Sequence, residues 1–226
     1  FAAASKIPNI LNLVSSTFWQ AWSLSAFQQF KKDDTSKFYS NVFVVFRSLC
    51  FVVASGLVLG APWLASLLLQ KNFYEAWIIV PPLILAFLFN AFAGFYGTVF
   101  TASMKTTYLL TSTVVASMVV VVMTWFLIPI IGLSGAAWAL VASNFVMYIM
   151  RVFRSSTVII IHVNWPLMIS NTLLLILQIC AMVNRVNNYM TFSAVVFIGV
   201  CILSFLDFYP SFKVILNIAK MKSKKR

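Results

Sequence analysis

The amine of Lys6, followed by Ile7-Pro8-Asn9, stands in an apolar stretch with no carboxylate close by. A lysine inside a membrane span costs on the order of 3 kcal/mol on insertion scales, so it either faces a polar cavity or snorkels to an interface. Facing a cavity, it would suit an anionic ligand, and Pro8 would kink the helix as a hinge. Arg47 is a second cation within an apolar run. Its planar fork fits a phosphate at a cavity mouth, and snorkelling is again the alternative. Trp19-Gln20-Ala21-Trp22-Ser23 gathers two indoles and an amide, which makes either a surface for stacking sugars or an aromatic belt at an interface. Asn90 and Asn144 fall in the middle of apolar runs; amides there bond across helices or face a lumen.

Other chemistries find little support. There is no Walker A motif, no Gly-rich phosphate loop and no His/Cys set at metal-ligand spacing. His162 is the single histidine and has no Cys or carboxylate cluster around it. Cys50, Cys180 and Cys201 lie in apolar runs and read as small buried hydrophobes. The 4 carboxylates stand mostly in or beside short loops, and the expected partner of Asp207 is Lys213 or water. The chain is therefore expected not to be an enzyme, and to hold no metal or resident cofactor.

The elements that must position these groups follow from composition. The chain has 226 residues, 62% hydrophobic and 9% charged, with 22 Phe and 7 Trp. So few charges cannot cover the surface of a water-soluble fold. Runs of the ~20 apolar residues that cross a bilayer as a helix fall at about 2–29, 41–69, 76–101, 107–129, 133–152, 165–183 and 189–209. The expected fold is all-α and integral to the membrane, a bundle of about seven transmembrane helices. Residues 155–164 are expected to form an interfacial connector before Trp165-Pro166. The rows Ala93, Gly97, Thr101 and Gly135, Ala139, Ser143 read as helix-packing faces.

Net charge is +12, but the basic residues sit in gaps between runs rather than on a patch for nucleic acid. With seven crossings, twelve of the 16 fall on one side, in 31–37, at Lys105, in 151–154 and in 213–226. Lys71 and Arg185 fall on the other, and Lys6 and Arg47 lie within helices. This bias predicts a cytoplasmic 31–37 loop and C-terminus. The chain also begins inside an apolar segment, which suggests the C-terminal part of a longer polytopic protein.

Several stretches resemble a known family. Ala4-Ser5-Lys6-Ile7-Pro8-Asn9-Ile10-Leu11 with Phe18-Trp19-Gln20-Ala21-Trp22-Ser23-Leu24-Ser25 resembles the eighth helix of Wzx-type polysaccharide flippases. These are the O-antigen and capsule transporters of the MATE-like multidrug/oligosaccharidyl-lipid/polysaccharide exporter superfamily. Gly94-Phe95-Tyr96-Gly97, Lys105-Thr106 and Gly132-Leu133-Ser134-Gly135-Ala136-Ala137 are similar to later connections of that family. The resemblance covers most of residues 1–155 and fades beyond. It implies a C-terminal lobe over 1–155, two additional helices over 156–210 and a basic cytoplasmic tail over 211–226. It further implies a multi-pass protein of the bacterial inner membrane that flips undecaprenyl-pyrophosphate-linked oligosaccharide by alternating access, with H+ or Na+ coupling open. Lys6, Arg47, Trp19, Gln20, Trp22 and Asn90 would line the substrate cavity. The implied partners are the lipid-linked oligosaccharide, membrane lipids and other polysaccharide-assembly proteins. Two rivals are a cation-coupled drug or metabolite exporter of the same superfamily and, less well matched, a membrane polysaccharide polymerase or ligase. The exporter needs an intramembrane carboxylate, and none is expected deep in a helix here.

Overall fold

The computed structural model describes residues 4–30, 35–68, 77–185 and 188–223, and of these the side chains of Ala4, Gln29, Leu68 and 214–223 are not described. The described residues are helical, without a strand. A 3-10 turn, Ala4–Lys6, leads into α1 (Asn9–Gln29). There follow α2 (Thr35–Leu68), α3 (Val80–Ala102), α4 (Thr107–Ile131), α5 (Leu133–Ser155), α6 (Trp165–Val183) and α7 (Tyr189–Ser223). Six of these helices, α2 to α7, are long and apolar enough to cross a membrane. The chain is an all-helical, multi-pass membrane protein. α1, expected as the first crossing, is not among the six, because polar side chains dilute its apolar content.

Local sequence explains most boundaries. Proline at the first positions of α3 (Pro81, Pro82) and α6 (Pro166) lacks an N–H that would have no helical partner there. Gly132 ends α4 and starts α5 at φ +62°, a conformation that costs glycine little. Three ends differ from expectation. α1 begins only after Pro8, which stands at its N-cap. α2 starts at Thr35, earlier than its apolar run. α7 continues through Pro210 to Ser223, so the first part of the expected tail is helix. A proline inside a transmembrane helix is tolerated where neighbouring groups satisfy the freed carbonyl. The charged gap 31–34, Lys71 and 224–226 lie outside the described residues.

α3 is the central column. Most of its 23 residues are buried, and α1, α2, α4, α5 and α6 all pack on it. α4 is its opposite: only Ser112 and Ala116 are buried, and it leans mainly on α5. Small residues permit that approach, since the Cα of Gly135 lies so near the α4 backbone that a Cβ would stand 2.6 Å from the Leu127 carbonyl. Ser143 also donates to the Ala116 carbonyl at 2.7 Å.

α6 and α7 form a hairpin that packs mainly on α2, while Tyr148 of α5 donates to Met168 Sδ of α6 at 3.4 Å. Between α5 and α6 the connector runs extended, turning Ile159, Ile161 and Val163 against the core and Ile160, His162 and Asn164 outward. It is fastened to the start of α2: Ser36 donates to the Ile160 carbonyl, and the His162 N–H donates to Ser40 Oγ at 2.8 Å. At the same end Tyr39 donates to the Ala26 carbonyl at 3.1 Å, and Arg154 covers Tyr108 at 5.2 Å. At the other end Arg185 covers Trp77 at 5.5 Å. These contacts put the start of α2, the start of α4 and the end of α5 at one end of the bundle, and the start of α3 and the end of α6 at the other.

Candidate functional site

α1 is two-faced in a way unusual for a membrane helix. Ile7, Leu11, Ser15, Trp22 and Ala26 are buried against α2 and α3. Asn9, Asn12, Ser16, Gln20 and Ser23 recur at steps of three and four, which places them on one stripe of the helix. Four of these are exposed and Ser16 is half-buried, while Asn12 donates to Asn9 at 3.2 Å. Lys6, also exposed, stands just before this stripe. Hydrocarbon does not solvate a row of amides and hydroxyls, so such a face belongs against water or polar groups.

α3 extends the polar face. Asn90, Gly94 and Thr98 are half-exposed at helical spacing, in line with the half-exposed Phe87 before them, and Thr101 follows. Asn144 of α5 joins them, accepting from Asn90 at 3.5 Å and donating to the Ala86 carbonyl at 3.1 Å. Asn90 is thereby an interhelical amide on the border of the polar face.

The two tryptophans take different places. Trp22 is buried at 4% exposure, donates its indole N–H to Thr98 Oγ1 at 3.1 Å, and stacks with Phe95 at 5.4 Å and Phe38 at 5.6 Å. Its faces are covered, so it cannot stack a sugar in this conformation. Trp19 is half-buried over Gly94, with its indole N–H unpaired among the described residues. Gln20 is exposed on the stripe. Pro8 lies at the joint between the 3-10 turn and α1, where its carbonyl accepts from the Leu11 N–H at 2.9 Å. A kink inside α1 is therefore absent, and Pro8 could hinge only the entry to it.

Arg47 neither snorkels nor lines a cavity mouth. It is 1% exposed and paired with Asp207 of α7, and its guanidinium lies 5.9 Å from the Phe43 ring centre. Asp207 is itself 7% exposed, so its partner is Arg47 rather than Lys213 or water. This also places a carboxylate inside a membrane-crossing helix, where none was expected.

Arg151, expected as a loop-side topology residue, is buried too. Its Nε donates to Ser112 at 3.0 Å, Nη1 to the Ala93 carbonyl at 2.9 Å and Nη2 to Thr113 at 3.2 Å, which ties α5 to α3 and α4. The small-residue row on α3 serves it: a Cβ at Gly97 would lie 3.2 Å from Nη1. A third polar clip joins α2, α6 and α7. Gln178 accepts from Ser55 at 2.6 Å and donates to Ser193 Oγ at 2.8 Å. Its partners, Ser55 and Ser193, stand in apolar runs.

An apolar groove of about 660 Å³ lies where α5 and α6 stand apart, with Leu85 and Phe89 of α3 between walls that include Trp138, Phe145, Trp165 and Ile169. Among the described residues no group of His, Cys, Asp and Glu could hold a metal ion. The chain matches no family model, and neither a curated protein nor a solved structure matches it.

Proposed function

We propose that this protein flips a lipid-linked oligosaccharide, with an undecaprenyl-pyrophosphate anchor, across the bacterial inner membrane by alternating access. The observation that carries this reading is the exposed polar stripe of α1, which begins beside Lys6 and continues onto Asn90, Gly94 and Thr98 of α3. A stripe of uncharged amides and hydroxyls suits the many hydroxyls of a sugar chain. A lone amine at its end suits a pyrophosphate, and no carboxylate on α1 competes for it. The apolar groove beside α6 supports a substrate that also carries a hydrocarbon tail.

Substrate-binding roles on this reading go to Lys6, Gln20 and Trp19, with Asn90 at the border. Trp22 and Arg47 hold helices together behind the surface. The residues act by binding, so the protein works as a transporter and not as an enzyme. The reading includes a cytoplasmic C-terminus, which the distribution of basic residues supports. Asp207 inside α7 supports coupling to a cation, the feature that a related drug or metabolite exporter would share.

The test is surface polysaccharide in cells that depend on this protein. Lys6→Ala is expected to abolish it at unchanged protein level, with Lys6→Arg retaining much of it. Normal polysaccharide from Lys6→Ala would overturn the assigned role.

A further inference from the structure

Arg151 carries a full positive charge into the bundle, and no described group of opposite sign meets it. It is 9% exposed, and the oxygens that it holds belong to two hydroxyls and one peptide carbonyl. Asp207, the one carboxylate among the described residues, is taken by Arg47. Bonds to three neutral oxygens leave two of the five N–H groups of the guanidinium unused and its charge uncompensated. A buried cation in that state is unfavourable unless an anion comes close.

Beside it lies a recess of about 510 Å³ on the first turns of α4, lined by Thr106, Thr107, Leu109, Leu110 and Thr113. Thr113 belongs to both: it lines the recess, accepts from Arg151 Nη2 at 3.2 Å and donates to the Leu109 carbonyl at 2.8 Å. Thr106 and Thr107 are exposed and keep hydroxyls able to donate, and Lys105, also exposed, directly precedes them. Two cations and two free hydroxyls at one end of the bundle suit the oxygens of a phosphate. Arg151 stands four residues before the end of α5, about 6 Å by helical rise. The headgroup layer of a bilayer is roughly 5–7 Å deep on each side, so a lipid phosphate reaches this level.

The same side of α4 continues as hydrocarbon. Leu110, Val114, Val121, Trp125 and Ile128 are exposed and follow at steps of three, four or seven, which keeps them on one side of the helix. Val121, Trp125 and Ile128 line a second, apolar recess of about 640 Å³ towards the far end of α4. Thr106, Leu110 and Thr113 share the spacing, so the polar and apolar recesses open on one face.

We propose that this face of α4 binds an anionic phospholipid. The phosphate takes the recess at Thr113, where Arg151 and Lys105 supply charge and Thr106 and Thr107 donate to its oxygens. An acyl chain lies along Leu110 and Val121 to the recess at Trp125. A zwitterionic lipid brings its own cation beside the phosphate and gains less. Neither Lys6 nor the polar stripe of α1 takes part, so failure of this site would leave the transport reading standing.

The test is native mass spectrometry of the full-length protein in micelles holding equal phosphatidylglycerol and phosphatidylcholine. Bound phosphatidylglycerol is expected to exceed phosphatidylcholine several-fold. Arg151→Gln, and separately Lys105→Gln with Thr107→Val, should bring the ratio close to one. Arg154→Gln is the control: Arg154 covers Tyr108, which is two residues from both Thr106 and Leu110 and so faces away from the recess. It should keep the preference. Parity in the parent overturns the site, and so does a loss in Arg154→Gln equal to that in the double variant, the mark of a diffuse basic surface. Excess glycerophosphate should leave the lipid bound; its displacement would show that the headgroup alone is recognised and would overturn the proposal. Should Arg151→Gln fail to fold, the exposed pair Lys105→Gln with Thr107→Val decides.

Discussion

Trp19 lies over Gly94 so closely that a Cβ there would stand 2.1 Å from Cζ2 and 2.4 Å from Cη2 of the indole. The absence of a side chain at Gly94 is what seats α1 on α3 and brings the polar stripe beside Asn90 and Thr98. Gly94→Ala is expected to push Trp19 out and to destabilise the protein by about 1–3 kcal/mol, the usual cost of overpacking. Thermal unfolding in detergent, read with tryptophan emission, checks this; an unshifted transition and spectrum would refute the seating.

Arg151 holds three uncharged oxygens on two other helices with a fork that lysine cannot copy. Arg151→Lys should therefore be about as damaging as Arg151→Met, with a loss of roughly 2–3 kcal/mol on the scale of hydrogen bonds to charged groups. Unfolding midpoints of the two variants measure it. A lysine variant as stable as the parent would reduce Arg151 to a generic cation.

Gln178 bridges α2, α6 and α7 through Ser55 and Ser193. Gln178→Met keeps the volume but drops the bonds, and interhelical hydrogen bonds in membranes are worth about 0.6–2 kcal/mol each. Faster amide exchange across 165–183 is the expected sign, with little change in α4 and α5. Uniform exchange across the chain would argue against a local clip.

Topology is open to a direct check. Reporter fusions at 34 and 104 should report one side of the membrane, and fusions at 73 and 186 the other. Finding 34 and 104 on opposite sides would break both the helix count and the charge argument.

Much of the helical frame was legible because apolar run length and turn chemistry act locally. The Ile131-Gly132-Leu133 break and the start at Trp165-Pro166 fall where the sequence places them. Pro210 misled because proline normally stops a helix in water, whereas a membrane helix can absorb it. Arg151 was hidden by Arg154: two arginines at the end of an apolar run look alike, and only α3 and α4 show which one points inward. Arg47 could have been matched by elimination, since Asp207 is the one acidic residue standing in an apolar run. The stripe Asn9, Asn12, Ser16, Gln20, Ser23 was visible as spacing. Spacing alone does not say which face of α1 is open, and that follows only from its packing on α2 and α3.

The partners of the Arg47–Asp207 pair are 160 residues apart. During synthesis α2 enters the bilayer with a guanidinium whose counter-charge has not yet been translated. Until α7 arrives, Arg47 must be sheltered by insertion machinery, water or lipid headgroups, and a nascent chain stopped before Asp207 keeps that exposed cation. The pair thus closes only once α7 has joined α2.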